Sequence, residues 1–398
     1  MRPRTTILGG STPFTAALVE ALRAADAALP AGELCLFGRN RSSLEAMKRY
    51  ATARLAPMGW MVSASDLLEE AVDGSTVVVN QIRFGGLEGR ARDESLARQF
   101  DLPADETLGP SALSAALRIV PPLTALAREL GRRCPDAWVL NLANPLSVTT
   151  AAMIQAGAPR KCVGLCELPF TTVAETCRLL GVPVDAVEWR YAGFNHRGFV
   201  FELALSDRDL LAQLPELLCG RTVFGVTAED IAGVGAIPLK YFRLCAASPE
   251  STAVHRAEFL LNLKQSVYNE LQGSDQPPPS LSKRDFRWYE SAVVPMIVAI
   301  FAGDGRELIV NQTRDDGLVW ELPARVFREG LQPVAAVTPA GRVAEWLTRF
   351  AAHERALLEA IESPSLSRIE QALGVDPCVP GDRVREIARA VHSGLQMN

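Results

Sequence analysis

Thr5-Thr6-Ile7-Leu8-Gly9-Gly10-Ser11-Thr12-Pro13-Phe14-Thr15 is the stretch that decides the fold. Thr6-Ile7-Leu8 reads as a short apolar strand and Gly9-Gly10-Ser11-Thr12 as a turn. Phe14, Leu18, Ala21 and Leu22 then recur at helical spacing over Phe14–Ala25. Two glycines straight after a strand let the backbone turn sharply and approach a pyrophosphate. The helix behind them offers free N–H groups and the positive end of its dipole. The motif is not a full G-x-G-x-x-G, and alone it also fits an ordinary strand–helix turn. A second strand at the proper distance, Leu34–Phe37, favours a nicotinamide-dinucleotide site on Gly9, Gly10, Ser11 and Thr12.

The end of that second strand usually carries an acidic residue for the ribose hydroxyls. Gly38 stands there, followed by Arg39. An arginine at this place meets a 2′-phosphate or is a solvated surface residue, so NAD and NADP both stay open. Further along, Ser42 or Ser43 is expected to cap a helix over Leu44–Ala56. Thr76–Asn80, Val139–Leu142 and Cys162–Leu165 read as buried strands. Strands alternating with helices imply a parallel sheet with crossover helices. The expected class is α/β: an N-terminal Rossmann-like doubly wound parallel sheet over 1–165, interlocked with an α+β substrate- and metal-binding domain over 166–398. In that second half Trp189–Phe194 and Phe199–Leu205 read as strands. Pro238–Ala246, Arg256–Leu271 and Val343–Ile361 read as helices, and Ser274–Ser282 as a loop.

The 398 residues are 48% hydrophobic and 22% charged, enough for a large core. A net charge of −5 without a basic block disfavours nucleic acid and membrane surfaces as partners. No apolar run of the kind a secretion signal needs follows Met1-Arg2-Pro3-Arg4, and the run Ala292–Ala302 is too short to span a bilayer. The expectation is a cytoplasmic protein whose eight scattered cysteines, none in a C-x-x-C pair, are mostly buried thiols.

Three constellations carry chemistry. Cys166-Glu167-Leu168-Pro169 and Asn195-His196 bring a thiol and an imidazole, a pair that suits a borderline divalent metal. Their separation follows no local ligand spacing, so a core thiol and a structural histidine are the plain alternative. Arg83-Phe84-Gly85-Gly86-Leu87-Glu88-Gly89-Arg90, followed by Asp93-Glu94, is either an anion-binding loop or a solvated one laced with ion pairs. Glu106-Thr107-Leu108-Gly109 opens the next helix.

Taken in order, these stretches resemble glycoside hydrolase family 4, the NAD-dependent glycosidases, and within it the 6-phospho-β-glucosidase branch. The resemblance spans roughly residues 5–330 and includes Gly9–Thr15, Arg83–Arg90, Ser114-Ala115-Ala116-Leu117-Arg118, Asn144-Pro145, Gly164-Leu165-Cys166, Gly193–His196 and Arg256-Ala257. It implies Cys166 and His196 as ligands of Mn²⁺ or a similar ion. Arg90, Asn144 and Arg256 would bind substrate, Tyr241 would be the base, and Glu106 the acid supporting it. Glu167 would be a proton donor, although the family often has Asp or Asn there. Gly38 and the lone Tyr241, where the family is tyrosine-rich, are the other departures.

Family 4 stands apart from two-carboxylate glycosidases. The implied reaction is hydride abstraction at C3, deprotonation at C2 and β-elimination of the aglycone. Water addition and re-reduction then regenerate the cofactor. The substrate would be a phosphorylated or neutral glycoside, and the assembly a homodimer or homotetramer. Two other readings stand beside it. One is an NAD(P)-dependent 2-hydroxy-acid dehydrogenase, which would want a catalytic His–Asp pair. The other is a non-catalytic sugar-phosphate or dinucleotide sensor on the same fold.

Overall fold

The computed structural model describes residues 2–246, 256–335, 337 and 339–396. Its first half alternates strands and helices: β1 (Arg4–Leu8), α1 (Thr15–Ala24), β2 (Glu33–Phe37), α2 (Arg41–Leu55), β3 (Met61–Ser65) and β4 (Val77–Asn80). There follow α3 (Gly86–Arg98), α4 (Gly109–Arg133), β5 (Trp138–Asn141), α5 (Leu146–Gln155), β6 (Lys161–Gly164) and α6 (Leu168–Leu180). The second half contributes β7 (Val187–Phe194), β8 (Arg197–Leu205), β9 (Arg208–Asp209), β10 (Ile237–Pro238), α7 (Arg256–Gly273), α8 (Val294–Ala302), β11 (Arg306–Thr313), β12 (Val319–Phe327) and β13 (Gly330–Pro333). The chain closes with α9 (Gly341–Glu362), α10 (Leu366–Val375) and α11 (Val384–Gln396).

One sheet runs through both halves in the order β10-β8-β7-β12-β11-β6-β5-β4-β1-β2-β3. From β3 to β6 every pairing is parallel. Beyond β6 every pairing is antiparallel; the single bridge Asn311↔Gly164 joins β11 to β6, and Glu321↔Gly193 joins the β11–β12 and β7–β8 hairpins. The second half therefore continues the first half's sheet.

Successive strand residues point to opposite faces. Ile7, Val77, Val79 and Leu140 pack with Leu18 and Leu22 of α1, Met47 of α2 and Ile297 and Ile300 of α8. Leu8, Val78 and Val139 pack on the other face with Leu123, Leu126 and Leu130 of α4. Both faces are covered, so β4 and β5 are buried at every residue and read as continuous apolar runs. Each such side chain contributes about 1.5–3 kcal/mol by leaving water. A third layer, α9 to α11, lays Leu357, Ile369, Leu373 and Ile387 against Leu113 and Leu117 of α4.

Two local expectations are corrected. Asn40, not Ser42 or Ser43, caps α2: its Oδ1 accepts the Ser43 N–H at 2.9 Å. The helix expected over Pro238–Ala246 is a strand and two short turns. Ile237 and Pro238 pair with Val200 and Phe199 on β8, one 3₁₀ turn covers Lys240–Phe242, and a four-residue helix covers Arg243–Ala246. Proline has no N–H to give a ladder, and at the edge of a sheet none is needed. β3, β11 and β12 are strands that apolar patterning did not reveal: β3 is half-exposed, and β11 and β12 bury Asn311, Gln312 and Glu321.

Candidate active site

The strand order turns back on itself between β1 and β4, and in open α/β sheets ligands bind outside the carboxyl ends of strands at such a point. The glycine turn lies there. Gly9 has φ +86°, open to glycine and strained for other residues. A Cβ on Gly10 would stand 3.0 Å from Ile7 O and Leu36 Cβ. Both N–H groups are tied to Phe37 O, at 3.1 and 2.7 Å. Phe14 precedes α1 without a side-chain cap, and the N–H groups of Thr15, Ala16 and Ala17 bond the carbonyls of Thr12, Pro13 and Phe14 at 2.9, 3.1 and 3.1 Å. Gln81 braces the turn by donating Nε2 to Gly9 O and Thr15 Oγ1, at 3.3 and 2.9 Å. Ser11 and Thr12 form the turn's outer rim. Arg39 is exposed at the end of β2, and Gly38 packs against the Ser11 side chain.

The carboxyl ends of β4 and β5 carry a polar lattice. Asn80 donates to Asn141 Oδ1 at 2.9 Å, and Asn141 donates to Thr149 and Thr150 at 3.0 Å each. Asn141 Oδ1 also accepts the Ala143 N–H, which holds the loop bearing Asn144. Asn144 Nδ2 lies 3.4 Å from Glu106 Oε2. Glu106 is gripped by Arg83 and by Arg90, the latter at 2.7 Å, and Arg90 also binds Glu94 at 2.6 Å. Burial alone would raise the Glu106 carboxyl, but Arg83 and Arg90 hold it well below the ordinary carboxylate range. Glu106 is thus fixed as an anion among arginines.

His196 occupies the tip of the β7–β8 hairpin at φ +65°, unusual for a side chain with a Cβ. Thr107 Oγ1 is 2.7 Å from its Nδ1. The Tyr241 ring stacks on the imidazole, with centroids 4.2 Å apart and planes inclined by 19°. Burial, then the Lys240 charge, push the imidazole down to about 3, so it is neutral at ordinary pH. Cys166 ends the loop after β6, and its thiol is pushed well up by burial and by the charges of Glu167 and Glu321. The Glu167 carboxyl, 3.8 Å from Cys166 Sγ, is pushed up chiefly by burial. Burial pushes the Tyr241 phenol well above 10, and the carboxylates Asp105 and Glu106 add to it in that order. Arg256 opens α7 and lies over the Phe259 ring, at 5.1 Å.

The structure therefore brings Cys166, Glu167, His196, Tyr241, Glu106, Arg90 and Asn144 together at the carboxyl ends of the sheet. Sequence reasoning missed Asp105, Thr107 and Glu321. Asp105 Oδ1 accepts the N–H groups of Thr107 and Leu108, at 2.8 and 3.0 Å. Glu321, fully buried, accepts from Tyr191 and from Asn311, the latter at 2.8 Å, beneath Cys166.

Family 4 glycosyl hydrolase models match this architecture over residues 4–182 and, for the C-terminal domain, over 191–379. The chain belongs to the family 4 glycosyl hydrolases. Within the family it is 25% identical over 410 residues to the "Probable 6-phospho-beta-glucosidase" of Bacillus subtilis, covering 95% of this chain and 92% of that one. It is 25% identical over 330 residues to 6-phospho-beta-glucosidase BglT of Thermotoga maritima, covering 80% and 79%. The structure of the Thermotoga maritima enzyme with manganese, NAD⁺ and glucose-6-phosphate superposes on 99% of this hydrolase and 98% of that chain, at a TM-score of 0.88 and 22% identity. No helix of the described part of this family 4 hydrolase is long and apolar enough to cross a membrane.

Two features test how well the site suits the family's metal. Among the described residues no group of three or more His, Cys, Asp and Glu side chains forms a cage. Cys166 and His196 nevertheless supply one sulfur and one neutral imidazole nitrogen. With Nδ1 taken by Thr107, Nε2 is the free nitrogen. That donor set fits a divalent ion completed by substrate oxygens and water.

Proposed function

We propose that this family 4 hydrolase is a 6-phospho-β-glucosidase that works with NAD and with Mn²⁺ or a similar divalent ion. The observation that carries the reading is the joining of the Cys166–His196–Tyr241 cluster to the arginine-held Glu106, beside the glycine turn. Two-carboxylate glycosidases face an acid and a second carboxylate across the glycosidic bond. Here the anion that faces the pocket is neutralised by Arg83 and Arg90, and the buried phenol is the basic group.

Gly9, Gly10, Ser11 and Thr12 would hold the dinucleotide, and Cys166 and His196 the metal ion. When bound, the dinucleotide supplies reversible oxidation of the sugar at C3, and the ion supplies a Lewis acid for the neighbouring oxygens. Cys166 would hold the ion as its thiolate, giving up its proton to do so. Asn144, Arg90 and Arg256 orient the sugar. Tyr241 is the base for the C2 proton; the Lys240 ammonium, 5.0 Å from its ring centroid, favours the phenolate. Glu167 stays protonated to higher pH than an exposed glutamate and gives its proton to the departing aglycone oxygen.

A hydroxy-acid dehydrogenase would want a His–Asp pair in the site. Among the described residues His353 and Asp376 stand 3.2 Å apart, but both are buried. His353 Nδ1 accepts from Arg197, and Asp376 accepts the Gly109 N–H. That pair braces the C-terminal helices and does not favour the dehydrogenase.

Release of p-nitrophenol from its β-glucoside, with and without a 6-phosphate, tests the proposal. Turnover is expected only with dinucleotide and Mn²⁺, without net cofactor reduction, and is lost on chelation. Full activity of metal-free enzyme, or stoichiometric NADH with a free hydroxy acid, would overturn it.

A further inference from the structure

Arg284 has no part in the site as described so far, and its surroundings are unusual for an arginine. Its guanidinium is flanked by aromatic rings, with Cζ 5.1 Å from the Phe14 centroid, 5.1 Å from Phe286 and 4.8 Å from Trp288. Its Nε is buried without a hydrogen-bond partner. Its neighbour Asp285 is engaged by Arg287 instead. Arg256 likewise pairs with no carboxylate among the described residues and lies only over the Phe259 ring.

Burying a guanidinium with unmet donors is costly. Here burial, and then the like charges of Arg256 and Arg83, push Arg284 down to about 10. The neighbouring anion cannot satisfy them all. Glu106 is already taken by Arg83 and Arg90, and Glu94 is shared by Arg90 and Arg98. Arg256 and Arg284 are therefore left without a carboxylate partner among the described residues. Aromatic rings hold the face of Arg284 and leave its N–H edge as a fork. Such a fork suits a tetrahedral dianion, which a second arginine can bind at the same time.

The segment is rigidly placed. Tyr289 donates its hydroxyl to Gln81 Oε1 at 2.6 Å, and Gln81 holds the glycine turn through its Nε2. Phe14, the residue before α1, packs against the Phe286 ring with centroids 5.5 Å apart and planes inclined by 49°. Arg284 is thus tethered beside the nucleotide turn but coupled in charge to Arg83, Arg256 and Glu106 on the sugar side. A pyrophosphate at the turn would meet the positive end of the α1 dipole. The anion left for Arg284 is one carried by the sugar.

We propose that Arg284, together with Arg256, binds the phosphate monoester of the glycoside and is the residue that selects phosphorylated over unphosphorylated sugar. This rests on the reading of the chain as a 6-phospho-β-glucosidase.

The experiment compares wild type, Arg284→Gln and Arg284→Lys. It measures kcat/KM for p-nitrophenyl β-glucoside 6-phosphate and for the unphosphorylated glucoside, the inhibition constant of inorganic phosphate, and the Kd for NAD. Losing a charge-assisted bond is expected to lower the phosphorylated-to-unphosphorylated ratio about 10–100-fold in Arg284→Gln, mainly through KM. Phosphate inhibition should weaken in parallel, and Arg284→Lys should fall between. A ratio that survives Arg284→Gln overturns the inference while leaving the function standing. A loss that falls on NAD binding assigns Arg284 to the cofactor and also overturns it. A wild type with no preference for the phosphorylated glucoside withdraws the parent reading and this one with it. Should Arg284→Gln fail to fold, an undiminished ratio in Arg284→Lys is the overturning result.

Discussion

Thr107 Oγ1 stands 2.7 Å from His196 Nδ1, and this contact decides which imidazole nitrogen is free. It is itself held in place: the Thr107 and Leu108 N–H groups bond Asp105, and the Gly109 N–H bonds Asp376 at 2.8 Å. Partners of this kind orient a metal-binding histidine, and their loss costs about 10–100-fold in metal affinity. Thr107→Val is therefore expected to weaken Mn²⁺ binding by about that factor. Free Mn²⁺ measured by electron paramagnetic resonance during titration checks this. Unaltered affinity would mean that the hydroxyl only fills space.

The stacking of Tyr241 on His196 places the phenol beside the imidazole proposed to hold the metal ion. A base acting on a carbon acid contributes about 10²–10⁴-fold. Tyr241→Phe keeps the ring and the stack and removes only the hydroxyl. kcat is expected to fall by about that factor, with the Kd for NAD preserved. Exchange of the C2 proton with solvent deuterium should cease in parallel. Near-normal turnover would take Tyr241 out of the mechanism.

The fold's first half was legible because each parallel strand is a continuous apolar run, and the glycine turn marks the first crossover. The proposed metal ligands were legible only through the family resemblance: Cys166 and His196 share no local spacing and are carried by the loop after β6 and by the β7–β8 hairpin. Asp105, Thr107, Glu321 and Arg284 were not legible at all. Their meaning comes from partners far away in the chain, as when Glu321 receives Asn311 and Tyr191 inside a sheet. Buried polar residues also break the alternation that betrays a strand, which is why the β11–β12 hairpin escaped. The tyrosine's electrostatics were read only in part. Glu106 faces Tyr241, but it is engaged by Arg83 and Arg90, and Asp105 is the carboxylate that bears on the phenol first.

Asp105 gives a pH signature. Burial pushes its carboxyl up to about 6, against an ordinary 3.8. A carboxyl raised on folding contributes stability that is fully present below its unfolded value and is lost as pH rises through the folded one. The wild type should therefore lose stability relative to Asp105→Asn between pH 3.8 and about 6. The substitution keeps an oxygen for the Thr107 and Leu108 N–H groups. Thermal melts from acid to neutral pH check this: the advantage of Asp105→Asn should grow through about pH 6 and then level off. An advantage that shrinks as pH rises would refute the assignment.

The choice between NAD and NADP turns on the end of β2. A Cβ on Gly38 would collide with the Ser11 side chain and lie 3.0 Å from its backbone nitrogen. The place where a carboxylate would read the ribose hydroxyls is thus closed by the glycine turn itself. Arg39 is exposed there, whereas Arg41 is engaged by Asp66 at 2.6 Å. With no carboxylate at the Gly38 position, Asp66 engaged by Arg41 and the Arg39 guanidinium to meet a 2′-phosphate, NADP should bind within about tenfold of NAD. Arg39→Ala should weaken NADP about tenfold, the loss of one exposed charge-assisted bond, and change NAD by less than about twofold. Fluorescence titration of both cofactors against both proteins measures this. Equal effects of Arg39→Ala on the two would make Arg39 a solvated surface residue. A wild type that binds NAD far more tightly would mean that the ribose is read by backbone groups of the Ser11–Gly38 contact instead.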